Sequence, residues 1–110
     1  METVFASAKL AKTMNDDSKL VRSYGNDVGG QIRKRLDDLA AAATLEDMRT
    51  LPGRCEELTG DRKGELSVRL GANYRLIFEP NHDPIPVKPD GGLDWTQVVS
   101  VKVTEVIDYH

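Results

Sequence analysis

Two hydrophobic periods divide the chain. Up to about residue 51 apolar residues recur every three or four positions, and from Leu66 onward they alternate with polar ones. Thr3-Val4-Phe5-Ala6 reads as a short opening strand. Leu10 and Met14 then stand four apart, and Leu20, Val21 and Tyr24 continue at helical spacing. Asn15-Asp16-Asp17 interrupts this run with capping residues, which predicts two short helices or one bent one, closed by Gly25 as a C-cap. The strongest stripe is Val28, Ile32, Leu36, Leu39 and Ala43, with Arg33, Lys34, Arg35, Asp37 and Asp38 off it. Gly29-Gly30 weakens its first turn, by about 1 kcal/mol per Gly relative to Ala if both are helical. Thr44 with Asp47 marks a new N-cap for a further turn through Leu45, Met48 and Leu51, and Pro52-Gly53 stops it.

The second half is strand-forming. Leu66, Val68 and Leu70 alternate with Ser67 and Arg69, and Tyr74, Leu76 and Phe78 with Arg75 and Ile77. A three-residue Gly71-Ala72-Asn73 connection pairs Leu70 with Tyr74, Val68 with Leu76 and Leu66 with Phe78, all on one face. A loop of two or four residues would scramble the faces, so the pattern fixes the register. Val99, Val101 and Val103 alternate in a last strand. Between the strands, Pro80 to Trp95 holds four of the five prolines and Gly91-Gly92, a long loop within one domain spanning 1–110. The predicted fold is α+β: an N-terminal strand and helical hairpin packed on a small antiparallel sheet, in the order βααβββ.

Composition narrows the function. Acidic residues outnumber basic ones, 18 to 15, for a net charge of −3 and a pI near 5.3. That sign argues against an autonomous binder of free nucleic acid. The single Cys55 excludes an internal disulfide and any multi-cysteine metal site, and reads as a small packed thiol in a reducing compartment. No stretch has the length and apolarity of a membrane span, and no signal-peptide pattern opens the chain, so a cytoplasmic protein is expected.

The register has a chemical consequence. Aligning the apolar pairs sets Arg69 directly opposite Arg75 on the other face, and like charges so placed are destabilising. Either a nearby carboxylate (Glu56, Glu57 or Glu65) compensates, or an anionic ligand does; a phosphodiester suits two forked guanidinium groups. From Arg49 to Arg75 there are six basic residues (Arg49, Arg54, Arg62, Lys63, Arg69, Arg75) against four acidic. The rest holds nine against fourteen, so a locally basic region hides inside an acidic total. The second candidate is Asp108-Tyr109-His110. A terminal His carries its own α-carboxylate beside the imidazole, which favours the protonated ring of a general acid, although chain ends are more often inert. His82 reads as a solvated loop residue and Trp95 as a core anchor. No P-loop, dinucleotide fingerprint, zinc spacing or nucleophile elbow is present, and Gly60-Asp61-Arg62-Lys63-Gly64 reads as a connection rather than a phosphate loop.

Leu51-Pro52-Gly53, Leu58 to Gly64, Tyr74-Arg75-Leu76-Ile77-Phe78 and the closing Asp108-Tyr109-His110 together resemble the RelE superfamily of bacterial toxins, in its HigB branch. The resemblance implies a microbial-ribonuclease-like fold and a metal-independent endoribonuclease without cofactors. It implies cleavage of mRNA in the ribosomal A site, and neutralisation by a HigA-like helix-turn-helix antitoxin, with operator DNA reached only through that partner. His110 matches the family's catalytic His, Tyr109 and Asp108 its neighbours, and Arg75 its strand arginine. Glu56 stands where the family often has His, and Thr59 where it usually has Lys. The resemblance makes Glu56 a substitute general base or a neutraliser of Arg69 and Arg75. Arg69, Arg62, Lys63, Arg54 and Arg49 are the candidate phosphate ligands. Two other readings stand beside this one: a non-enzymatic gyrase-binding toxin of the ParE type, and an attenuated toxin kept for antitoxin and operator binding.

Overall fold

The computed structural model describes residues 1–108. Strand β1 (Glu2–Phe5) leads into α1 (Ala8–Met14), where the Ser7 side chain accepts from the Leu10 amide at 3.1 Å. Asp16 caps the next helical run, α2 (Asp17–Ala41), by accepting from the Lys19 amide at 3.2 Å. Gly25, at φ 85°, breaks this run. A straight helix would hold residues nine apart at about 13 Å, yet a Cβ on Gly29 would meet the Leu20 backbone at 3.1 Å. The chain therefore reverses at Gly25, as a C-cap there predicts, and the two halves of α2 cross at glycine contact distance.

Of the predicted stripe, Ile32, Leu36 and Leu39 are buried. The helix ends at Ala41, so Ala42 rather than Ala43 turns inward. Arg35, expected off the stripe, is buried; its Nε lies 3.2 Å from Asp38 and its stem against Gly53. A 3₁₀ turn follows at Leu45–Thr50, with Asp47 accepting from the Ala43 amide at 2.8 Å. The Met1 ammonium donates to the carbonyls of Leu39, Ala40 and Ala42, supplying positive charge at a helix end that has no basic residue in its last turn.

Five strands form one sheet in the order β1-β5-β4-β3-β2, with β2 (Glu56–Glu57), β3 (Leu66–Arg69), β4 (Tyr74–Pro80) and β5 (Ser100–Asp108). The hairpin register is the predicted one: Leu66 faces Phe78, Val68 faces Leu76 and Arg69 faces Arg75, and the Leu70 amide donates to the Tyr74 carbonyl at 2.9 Å. Three features differ from the expectation. β1 pairs with β5 in parallel, making the sheet mixed. The two-residue β2 is too short to show a period. β5 starts one residue late, leaving Val99 half exposed, and runs on to Asp108 past an irregularity opposite Ile77/Phe78 that breaks the alternation after Val103. There the Thr104 hydroxyl donates to the Ile77 carbonyl at 3.2 Å.

Leu66, Val68, Leu76, Phe78, Val101 and Val103 join Met14, Leu20, Ile32, Leu36 and Leu39 in one core, so the helices lie on one face of the sheet. No helix among the described residues is long and apolar enough to cross a membrane.

The two adjacent glycines of α2 have opposite surroundings. A Cβ on Gly29 meets backbone atoms that cannot swing aside, whereas one on Gly30 meets nothing within 4 Å. Gly29→Ala is expected to destabilise the protein by about 1–3 kcal/mol and Gly30→Ala to stabilise it by about 0.4–1 kcal/mol. Thermal unfolding followed by circular dichroism should show midpoints moving in opposite directions.

Candidate functional site on the open face of the sheet

Strand alternation places Glu56, Ser67, Ile77 and Glu105 side by side across β2, β3, β4 and β5 on the face away from the helices. The next row is Arg69, Arg75 and Ile107. The row on the other side is Glu65, Glu79 and Lys102.

Arg69 and Arg75 are directly opposite each other, as the register demands. Arg75 Nη1 donates to the Tyr74 carbonyl at 3.2 Å. Carboxylates stand one row away on the outer strands, Glu56 diagonal to Arg69 and Glu105 diagonal to Arg75, about 7–8 Å between backbones and within reach of long side chains. The Arg69 amide donates to the Gly53 carbonyl at 2.7 Å. Gly53 has φ 103°, and a Cβ on it would meet Arg35 Cδ at 3.0 Å. Buried Arg35 thus supports the loop that fixes one end of the arginine row. Arg54, next along, takes the left-handed conformation at φ 47° and lies 3.8 Å from Glu56.

Arg62 reaches across the face. Its Nη1 lies 3.1 Å from Glu65 and its Nη2 3.0 Å from Glu105. Those carboxylates belong to the β3 and β5 sides, so the guanidinium spans β4. Ile77, in the same row as Glu105, is fully buried. The hydrogen bond to Glu105, followed by the attraction of both carboxylates, raises the Arg62 pKa further above its ordinary value. Lys102 pairs with Glu79 at 3.3 Å.

The remaining candidates separate. Arg49 lies away from this face, with its guanidinium 3.9 Å from the centre of the Trp95 ring and its Nε 2.8 Å from Glu46. Trp95 is buried, and its indole donates to Glu57 at 3.1 Å. Lys63 is exposed and lines a groove of about 650 Å³ with Leu58, Leu66, Ile85 and Val87. Asp108 faces Tyr74 at the end of β5, while Tyr109 and His110 lie outside the described residues. His82 Nε2 accepts from the Val99 amide at 3.1 Å and ties the proline-rich loop to the start of β5.

The sequence window from Arg49 to Arg75 overstates the basic character of the site. On the folded face five cations (Arg54, Arg62, Arg69, Arg75, Lys102) meet four carboxylates (Glu56, Glu65, Glu79, Glu105). Glu105 is the residue that linear reading misses, because the irregularity after Val103 decides its face. Arg54, Arg62 and Lys102 each lie within ion-pair distance of a carboxylate, and the arginine row presents two guanidinium groups that suit an anion.

Comparison with known proteins places this architecture. The fold matches a YoeB/ParE toxin from Agrobacterium tumefaciens, with a TM-score of 0.59 at 14% identity and full coverage of both chains. It also matches a YoeB–YefM complex from Staphylococcus aureus, with a TM-score of 0.55 at 15% identity, covering 100% of this chain and 97% of that one. The fold is that of a small bacterial toxin. The family described as the RelE-like toxin of type II toxin–antitoxin system HigB matches residues 3–86. Toxin HigB-1 of Vibrio cholerae serotype O1 (strain ATCC 39315 / El Tor Inaba N16961) is 37% identical over 65 residues, 58% of this chain and 68% of that protein. The chain belongs to the HigB-like family of RelE-like toxins of type II toxin–antitoxin systems. The matched stretch contains Glu56, Arg62, Arg69 and Arg75 and ends before β5.

Cys55 stands beside Glu56 yet takes no part in this chemistry. Burial, opposed by Arg49 and reinforced by Glu56 and Glu57, pushes its thiol up from 9.0 to about 12. At pH 8 iodoacetamide is expected to alkylate Cys55 at least about 100-fold more slowly in the native protein than in urea. Mass spectrometry over time checks this, and equal rates would contradict the packed, protonated thiol.

Proposed function

We propose that this toxin arrests growth by cutting mRNA in the ribosomal A site, and that a helix-turn-helix antitoxin neutralises it. The observation that carries the reading is the pair Arg69 and Arg75, set opposite each other on a sheet face that the helices leave open. Two guanidinium groups at that spacing suit a phosphodiester and the extra charge of its transition state.

RNA supplies its own nucleophile. The 2′-OH attacks the adjacent phosphate, so the enzyme provides a base, an acid and charge stabilisation, without a metal. In this mechanism Arg75, with Arg69, stabilises the charge on the phosphorane-like centre. Glu56 takes the 2′-OH proton from its place diagonal to Arg69. His110 protonates the departing 5′-oxygen, Tyr109 positions the nucleotide and Asp108 orients the end of β5. Arg54, Lys63 and Arg49 contribute, if at all, to longer-range contacts with RNA. The near balance of charge on the open face fits an enzyme to which the ribosome presents its substrate, because free RNA is held chiefly by uncompensated cations. The likeness to a toxin solved with YefM supports an antitoxin partner.

One observation favours an attenuated toxin as a second reading. Glu56 lies 3.8 Å from Arg54, which fits a carboxylate that neutralises its arginine neighbours rather than one that takes a proton.

Purified protein with a defined mRNA and programmed 70S ribosomes tests both. Cuts within the A-site codon are expected, and none without ribosomes. His110→Ala should lower the rate by about 10²–10⁴-fold and Arg75→Ala by about 10²–10³-fold. Glu56→Gln abolishing cleavage identifies the working base, whereas Glu56→His raising activity favours the attenuated reading. Growth arrest with no ribosomal cleavage, unaffected by His110→Ala, would replace the nuclease by a binding toxin of the gyrase-directed kind.

A further inference from the structure

Arg62 is held by two carboxylates, from opposite sides of β4. The trio of Arg62, Glu65 and Glu105 carries a net charge of −1, and Glu105 stands one row from the arginine pair. A phosphate approaching that row meets an arginine already engaged through both terminal nitrogens. This double pairing opposes its recruitment by a passing anion.

We propose that Glu105, acting with Glu65, is a specificity-determining clamp that withholds Arg62 from RNA unless the RNA is already held in place. Resting on the open face being the RNA face, the inference adds a residue that discriminates between free and presented substrate. Free RNA must open the clamp from bulk concentration. RNA anchored elsewhere on a ribosome competes at a far higher effective concentration, so the same phosphate displaces a carboxylate that free RNA does not. The ion pairs are partly exposed, with side-chain accessibilities of 38% for Arg62, 24% for Glu65 and 46% for Glu105, so the clamp is weak enough to be opened.

Fluorescence anisotropy with a short, unstructured 2′-O-methyl RNA reads binding without cleavage or ribosomes. Glu105→Gln is expected to tighten binding about three- to fivefold, the range that one surface ion pair provides. It should also steepen the dependence of log affinity on log salt by about 0.7, the increment for one added phosphate contact on a single strand. Glu65→Gln should act in the same direction and covers the case in which the Glu105 variant folds poorly. Asp61→Asn is the control: it removes the same charge next to Arg62 from a residue outside the trio, and should change affinity less than about twofold with no change in slope. Arg62→Met, which keeps the apolar stem and removes the charge, should abolish the gain when combined with Glu105→Gln. Equal effects of Glu105→Gln and Asp61→Asn, or a gain that survives Arg62→Met, would overturn the clamp. If Arg69→Ala and Arg75→Ala leave RNA binding unchanged, it is the reading of the open face that fails, a result distinct from failure of the clamp.

Discussion

The register of the β3–β4 hairpin governs both faces of the sheet. A three-residue connection puts Leu66, Val68 and Leu70 across from Phe78, Leu76 and Tyr74, and the helices seal that face. The same geometry leaves no freedom for Arg69 and Arg75, which must oppose each other on the reverse side. Burying the apolar pairs and placing two cations in contact are one structural event. A slip by one residue would relieve the repulsion while turning the apolar set of β3 to the opposite face. The core therefore fixes the two arginines at opposed positions of neighbouring strands.

Around that pair the fold distributes compensation unevenly. Arg54, Arg62 and Lys102 each lie against a carboxylate, and Arg62 against two. Arg75 also donates to the Tyr74 carbonyl, and Arg69 is anchored through its amide to Gly53. Support for this second anchor comes from Arg35 beneath the loop. A charge on a helix thus sets the position of one on the sheet, and the glycine between them permits their approach. The result is a face on which two arginines share one row and the neighbouring rows carry both signs of charge.

What was legible in the sequence follows from the range of each interaction. Local periodicity and loop length determine the hairpin, the reversal at Gly25 and the cap at Asp16, and these agree with the pattern of residues. Non-local pairings leave no such trace. Nothing in Thr3-Val4-Phe5 reveals that β1 runs parallel to β5, and Glu56-Glu57 is too short to alternate. Arg35 looks like part of a solvated charge run because helical spacing alone does not predict the Gly53 loop that covers it. Among the site residues, Arg69, Arg75 and Glu56 fall on one face as expected, while Arg49 turns away to stack on Trp95. Counting charges along a window failed for a related reason. Glu79 and Glu105 come from strands outside or at the far end of that window, and they reduce a basic segment to a nearly neutral surface.

On the proposed reading of the open face as an RNA site presented with its substrate by the ribosome, near neutrality is a functional property. With a strongly basic face, the protein would bind any RNA with a steep salt dependence, and most of it would be sequestered away from ribosomes. With no cations at all, the transition state would go unstabilised. Pairing resolves the conflict, because an ion pair suppresses long-range attraction while leaving a short-range donor that a correctly placed phosphate can recruit. Selectivity then resides less in recognition of the nucleotide than in the requirement that something else position it. The acidic total of the chain, unfavourable for a free RNA binder, agrees with the same proposal.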